Sequence, residues 1–298
     1  ILQNKRNKRG NIDFQTKEVY FVHDEQGNVV DVVPYQRTFA HQLIEEFMII
    51  ANESVASYAE NCDYPFVYRV HDKPDEEKFA NLVALMKGVG INVKHSQQLH
   101  SSVLQDALAQ AEKTPYFNLI NDVMLRTMQK AKYSTVNSGH FGLASNCYCH
   151  FTSPIRRYPD LVVHRILKTA VQGKMTDKAL SAYTVMAKET SRQASVREKV
   201  ADEAERKADD VKKCNYAERI DAIISGVTEH GIYCELPNTV EGFVSVEKLG
   251  GYFTYNAQTF CLYNEGTKYA LGDSVKITVA GVNKNVYKID FDLAKDID

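Results

Sequence analysis

No apolar run in the 298-residue sequence approaches the ~20 residues that a membrane-spanning helix needs; the longest are of the size of Phe47–Ala51. Residues 1–10 are polar and basic and lack the apolar segment of a signal peptide, so nothing directs the chain to a membrane or a secretory route. Cysteine is sparse. The six present are unevenly spaced and form no repeated Cys-x-x-Cys, which reads as reduced thiols in a cytoplasmic protein. Neither sign of charge dominates: 36 Lys and Arg stand against 38 Asp and Glu, a formal net charge of −2. That excludes a uniformly basic nucleic-acid coat but leaves room for a local basic track. With 44% hydrophobic and 25% charged residues, wholesale disorder is excluded, and the length suits about two domains.

The sequence opens, without a start methionine, on ILQNKRNKRG, a basic Asn-rich stretch with no hydrophobic period. Residues 11–33 alternate apolar and polar positions around Val19, Phe21 and Val22 and then Val29, Val30, Val32 and Val33, with Glu25–Asn28 as the turn of a hairpin. From about Arg37 to Glu60 the period becomes helical, with Ala40, Leu43, Ile44, Phe47, Met48, Ala51 and Val55 on the apolar side of an amphipathic helix and Glu46 on its polar side. Further helices are expected at about Pro74–Lys87, ended by Gly88 and Gly90, at Ser101–Glu112, and at Tyr116–Lys130 after Pro115. A helix from Ser153 to about Val171 and a long one from about Asp177 to Asn215 follow. The mixed charges of Arg197–Lys213 read as a solvated face.

Near Tyr216 the pattern changes to short alternating strands: Glu218–Thr228, Gly231–Leu236, Gly242–Val246, Ser274–Val282 and Val286–Leu293. Such a set fits a five-stranded Greek-key barrel of the OB type. The insert Gly250–Gly272 is rich in aromatics, and packing against the barrel explains most of them. The fold class expected is therefore α+β, a mainly helical segment over residues 1–215 followed by a barrel over 216–298.

The segment His140–Arg165 reads HFGLASNCYCHFTSPIRRYPDLVVHR. With Ser153 as cap and Pro154 at the first helical position, Arg156 and Arg157 fall in the first turn, beside free backbone N–H groups and the positive end of the helix dipole. Such a start binds phosphate, and arginine adds bidentate charge-assisted bonds. The alternative is a capped surface helix whose arginines pair with local carboxylates.

This segment resembles the signature of the RNase II/RNase R (RNB) family of 3′-to-5′ exoribonucleases, nearest to its RNase R branch. The resemblance extends upstream to Lys8–Phe14, Ala40–Asn52 and Tyr68–Pro74 and downstream to Ala201–Arg206, and the terminal barrel is similar to an S1-type domain. It implies processive hydrolysis of single-stranded RNA from the 3′ end to nucleoside 5′-monophosphates, with Mg²⁺ held by a cluster of aspartates. In the family that cluster, an aromatic clamp and cold-shock domains precede the point where this sequence starts, and no Asp-rich motif of that pattern occurs in residues 1–298. The resemblance therefore implies that the chain is the C-terminal part of an enzyme, inactive alone, whose partners are RNA and the N-terminal part. A non-catalytic RNA-binding protein on the same scaffold is the rival reading.

Residue by residue, the resemblance places Arg156 at the catalytic arginine on the scissile phosphate. Glu205 and Glu46 fall on glutamates near the RNA end; Glu46 faces a ribose 2′-OH, and Glu205 is either catalytic or an ordinary helix-surface charge. Arg157, Thr152 and Ser153 are phosphate or cap neighbours. Phe14 matches an aromatic that stacks on the terminal bases, or is a strand core residue. His140, Cys147, Cys149 and His150 raise a zinc reading, but Cys-x-Cys-His is a poor spacing and no metal site is expected on this chain. His164 is expected to pair with Asp160 along the helix, and His41 to be structural. In the barrel, Tyr233 and Phe243 either stack on bases, with His230 and Lys248 nearby, or belong to the core.

Overall fold

The basic opening stretch is helical although no apolar period marks it. Leu2–Arg9 form α1 in the computed structural model, which describes residues 1–14, 19–93, 99–114, 116–213, 220–256, 259–283 and 288–294. Charge holds this helix in place: Arg6 donates to Glu46 at 2.7 Å and to Asn11 at 3.1 Å, and Arg9 donates to Glu53 at 2.8 Å. Gly10 ends it at φ 94°, a left-handed conformation open to glycine, while the N–H groups of Gly10 and Asn11 return to the carbonyls of Asn7 and Arg6.

The hairpin forms from β1 (Val19–His23) and β2 (Val29–Pro34), and Asp24 organises its turn by accepting from the N–H groups of Gln26 and Asn28. The helix α2 (Phe39–Asn61) begins after Thr38, whose N–H donates to His41 Nδ1 at 3.1 Å, so His41 is a capping residue. Its burial reverses the sequence expectation. Glu46, Asn52 and Glu53 face other parts of the protein, whereas Phe39, Leu43, Ile44 and Phe47 are exposed, Phe47 at 56%. An apolar stripe is buried only where a second surface meets it, and none of the described residues covers this one.

The short strands β3 (Tyr68–Val70) and, after three helices, β4 (Lys132–Ser134) pair antiparallel; strands of three residues carry no readable period. The helices between them are α3 (Glu76–Gly88), α4 (Ser101–Ala111) and α5 (Phe117–Thr127), close to their expected ranges. One core joins Phe66, Tyr68 and Tyr133 to Val162, Val163 and Ile166 of α6 (Tyr158–Val171) and to Ala187 of α7 (Asp177–Lys213). The helix α7 lies on β4, with Ser195 Oγ accepting the Tyr133 N–H at 2.9 Å and Glu198 taking Arg69 at 2.6 Å. Further on, residues 199–208 are exposed throughout, the solvated face that their charges predict.

A second core takes Leu82, Met86, Leu104, Ile120 and Met124 from α3 to α5 and continues without a break into the barrel through Ile224, Ile232 and Phe291. Each large apolar side chain fully buried there contributes about 1.5–3 kcal/mol. The barrel begins with β5 (Ile220–Thr228), β6 (Gly231–Glu235) and β7 (Glu241–Ser245). The aromatic insert then forms a three-stranded sheet that the sequence pattern did not disclose, β8 (Thr254–Asn256), β9 (Cys261–Tyr263) and β10 (Lys268–Ala270). Phe253, Tyr255, Phe260 and Tyr269 pack against the core as expected, while Tyr252 is exposed. Finally β11 (Ser274–Asn283) and β12 (Lys288–Leu293) close the barrel in the order β11-β12-β7-β6-β5, with β11 also paired to β5 and β12 parallel to β7. The expected boundary near residue 216 lies outside the described residues. No helix among the described residues is long and apolar enough to cross a membrane.

Candidate functional site

The sequence reading starts α6 at Ser153 and Pro154; the helix in fact begins at Tyr158, with Arg157 as its extended N-cap. Pro159 is the reason. In a helix begun at Ser153 it would sit in the interior, offering no N–H to the Ile155 carbonyl and pressing its ring against that group; in the first turn of α6 it costs nothing. Residues 153–157 form a separate turn instead, in which the N–H groups of Arg156 and Arg157 both donate to the Ser153 carbonyl, at 3.3 and 3.0 Å. Both arginines therefore precede the helix, and Asp160 occupies its positive end.

The loop before this turn is tied down from several sides. Asn52, buried on α2, donates to the Tyr148 hydroxyl at 2.9 Å, accepts the Phe151 N–H at 2.9 Å and takes the Cys149 thiol on its carbonyl at 3.3 Å. The Arg69 N–H of β3 holds the Tyr148 carbonyl at 2.8 Å, and the Tyr133 hydroxyl of β4 meets His150 Nδ1 at 2.9 Å. His164 does not pair with Asp160 as expected: its Nε2–H donates to the Phe151 carbonyl at 2.8 Å, and its ring stacks on Phe151 at 4.2 Å. In the fully buried Asp160 carboxylate, Oδ2 accepts the Ser153 N–H and Arg157 Nη2, each at 2.8 Å, while Oδ1 has no hydrogen-bond partner among the described residues.

These anchors divide the two arginines. Arg157 is ion-paired and half-buried, whereas Arg156 is exposed at the tip of the turn, its guanidinium without a hydrogen bond or ion pair among the described residues. Ile155 and Tyr158 beside it are also exposed. The field at the loop is positive. Burial, with the charges of Arg157, Arg69 and Arg156 nearby, pushes His150 down to about 2, and burial likewise pushes His140 down to about 3. Both imidazoles are neutral at neutral pH, so the open cation at the loop is Arg156, a donor fork suited to phosphate.

The remaining candidates are dispersed. Phe14 belongs to no strand; it lines a cavity of about 500 Å³ with Ile12, His71, Leu125 and Arg126. Glu46 is held at Oε1 by Arg6. Thr152 Oγ1 is buried without a partner among the described residues, and Glu205 is exposed on α7. Tyr233 and Phe243 stand opposite each other on β6 and β7 with ring centroids 4.9 Å apart, Tyr233 being 39% exposed. Nearby, His230 projects to solvent beside Glu229, and Lys248 pairs with Asp292 at 2.6 Å. Sequence reasoning missed Asn52 as the loop's anchor. Its signal was a polar residue in register with the buried positions Ile49, Ala56 and Ala59 of α2.

Among the described residues, no group of three or more His, Cys, Asp or Glu could hold a metal ion, so the His140, Cys147, Cys149 and His150 set does not form a zinc site. Cys149 spends its thiol on Asn52 and His150 meets Tyr133.

A mainly helical segment that presents an exposed arginine on an anchored loop, joined to a closed five-stranded barrel, defines an α+β protein. The RNB domain profile matches residues 1–173 and the S1 RNA binding domain profile residues 213–293, and the chain belongs to the RNB family. It is 39% identical to ribonuclease R of Thermotoga maritima, over 99% of this chain and 43% of that protein, and 33% identical to that of Escherichia coli, over 98% and 38%. The apo form of Mycoplasma genitalium RNase R has the same fold, with a TM-score of 0.91 at 26% identity over 98% of this chain and 48% of that one. A structure of that protein in complex with ribose methylated single-stranded RNA matches equally, with a TM-score of 0.91. The chain thus spans less than half the length of these relatives.

Proposed function

We propose that this chain is the part of a cytoplasmic 3′-to-5′ exoribonuclease that binds single-stranded RNA and holds its scissile phosphate. In this reading residues 1–215 are the C-terminal part of the RNB catalytic domain and residues 216–298 its RNA-binding barrel. The carrying observation is Arg156, exposed and unpaired on a loop anchored by Asn52, Tyr133 and His164, while Arg157 is spent on Asp160. In each cycle water adds to phosphorus as the preceding 3′ oxygen leaves, giving a nucleoside 5′-monophosphate and a strand one nucleotide shorter. Negative charge grows on the non-bridging oxygens, and the guanidinium of Arg156 meets it. Successive cycles without release make the degradation processive. Phe14 stacks on the terminal bases; Thr152 and Ser153 border the phosphate; Arg157 positions the turn; Glu46 keeps Oε2 for a ribose 2′-OH, and Glu205 acts near the RNA end. Tyr233 and Phe243 hold the strand at the barrel, where each stacked base contributes about 1–3 kcal/mol. The RNA-bound Mycoplasma genitalium relative supports this class of ligand. The free thiols of the described cysteines suit a reducing compartment.

Mg²⁺ belongs to the proposal for the intact enzyme, but the described residues do not fit a metal site, and no step is derived through one. Its ligands are assigned to an N-terminal part that also carries the cold-shock domains. The exposed stripe of Leu43, Ile44 and Phe47 is a surface that such a part would cover. The second reading is a non-catalytic RNA-binding protein that retains this scaffold. Mixing 5′-labelled RNA and Mg²⁺ with the chain, alone and with an N-terminal segment bearing the aspartates, separates the two. The proposal expects RNA binding without cleavage by the chain alone and stepwise shortening by the mixture. Absence of shortening in both, with binding retained, selects the second reading, and cleavage by the chain alone overturns the placement of the metal.

A further inference from the structure

Both modules contribute to one cavity of about 460 Å³, the size of a small-molecule pocket. Lys78 of α3 and Arg126 of α5 line one part of it, and Gly226, Tyr233 and Glu241 of the barrel line another. The bulge between Ile224 and Gly226 in β5 inserts Ser225 into the ladder, and its hydroxyl donates to Glu241 Oε1 at 2.5 Å. The carboxylate is thereby fixed, with Oε2 free of partners among the described residues. Gly226 lies opposite Tyr233, and a Cβ there would come within 3.2 Å of the Tyr233 ring, so glycine lets the ring rest against β5.

Three charges share this cavity without neutralising one another. Neither Lys78 nor Arg126 has a carboxylate partner among the described residues; Arg126 only donates to the Ser225 carbonyl, at 3.4 Å. A purely structural cluster would pair its carboxylate with a cation, whereas here the serine holds Glu241 and both cations stay open. Arg126 also lines the cavity that contains Phe14, so it stands between the barrel and the catalytic segment.

We propose that this cavity takes one nucleotide of a single strand whose base carries its amine at the position of cytosine N4 or adenine N6. The base stacks on Tyr233, its amine donates to Glu241, and its flanking phosphates lie at Lys78 and Arg126. A carboxylate accepts from the N4 amine of cytosine, whereas uracil presents an acceptor oxygen at the same position. The cavity therefore disfavours uracil. The inference rests on the RNA-binding reading above and adds a base preference and a site shared by the two modules.

Fluorescence anisotropy of the 298-residue chain with labelled oligo(C) and oligo(U) of equal length tests it. The parent is expected to bind oligo(C) at least about five-fold more tightly, and Glu241→Gln, an exposed near-isosteric change, to bring the two within about two-fold. Arg126→Ala and Lys78→Ala are each expected to weaken both strands alike and to lower the salt slope by about one. Equal affinity of the parent for the two strands, or a preference that survives Glu241→Gln, overturns the inference while leaving RNA binding in place. Failure to bind either strand overturns the RNA-binding reading itself.

Discussion

Arg157 closes its guanidinium on the buried carboxylate of Asp160 at 2.8 Å, and this pairing leaves the adjacent Arg156 as the open cation of the turn. Two neighbouring arginines thus have different physical tasks. Asp160→Asn removes the partner of a partly buried cation and is expected to destabilise the fold by about 3–5 kcal/mol. Arg157→Lys, which loses the fork, should lower stability clearly, and Arg156→Lys should leave it within about 0.5 kcal/mol, as surface substitutions do. Urea unfolding of the three variants checks this order; equal stabilities for Arg156→Lys and Arg157→Lys would contradict it.

Asn52 ties α2 to the loop through both ends of its amide. Asn52→Ala strands the Phe151 N–H and the Tyr148 hydroxyl in the interior, and the expected loss is on the order of 3 kcal/mol, from about 1–3 for each unsatisfied buried group. Hydrogen exchange of the Phe151 amide should speed up with it. Unchanged protection there would show that the loop is held without Asn52.

Acid sensitivity follows from the buried imidazoles. His140 and His150 are pushed down to about 3 and about 2 from an ordinary 6.5, both by burial first, and burial also lowers His71. His71 accepts the Gly142 N–H on Nδ1 at 3.0 Å and offers Nε2–H to the Gln129 carbonyl at 2.7 Å, an arrangement that leaves no room for a second proton. Above the unfolded value these groups are neutral in both states and contribute nothing to pH dependence. As pH falls below 6.5 the unfolded chain takes up protons that the folded chain refuses, so stability declines, by on the order of 2 kcal/mol at pH 5 for each of His140 and His150, with His71 acting in the same direction. Chemical denaturation at pH 7, 6 and 5 measures this, and a flat profile over that window would refute it.

The uncovered stripe of α2 makes a separate prediction. Leu43→Gln with Phe47→Gln should leave the stability of the chain nearly unchanged, because both side chains already face solvent, and should reduce its self-association. The same pair should abolish capture of the N-terminal segment. Sedimentation velocity of the parent and the double variant, each with and without that segment, reads both effects; undiminished capture would place its contact elsewhere.

What the residues disclosed, and what they withheld, follows from how local each signal is. The barrel strands were legible because alternation is written into each strand, and α2 to α5 because helical period survives without knowledge of the partner surface. The direction of α2 was not legible: period marks an apolar face but not whether anything meets it, and here Glu46 and Asn52 are packed while Phe47 is bare. Nor was α1, whose support is ionic and comes from residues forty or more positions away. The start of α6 was misjudged because a good cap at Ser153 was weighed without the proline six residues on. Of the candidate site, the motif singles out Arg156 and Arg157, and the Asp160 contact, which pairs Arg157 alone, was not legible in it.

The central claim is that Arg156 grips the scissile phosphate. Single-turnover hydrolysis of RNA by the chain combined with the proposed N-terminal part, carrying Arg156→Lys, tests it most directly. The account predicts a fall of roughly 10²–10³ in the cleavage rate, the scale of removing one transition-state donor, with RNA affinity nearly unchanged. Cleavage within a few-fold of the parent would contradict it.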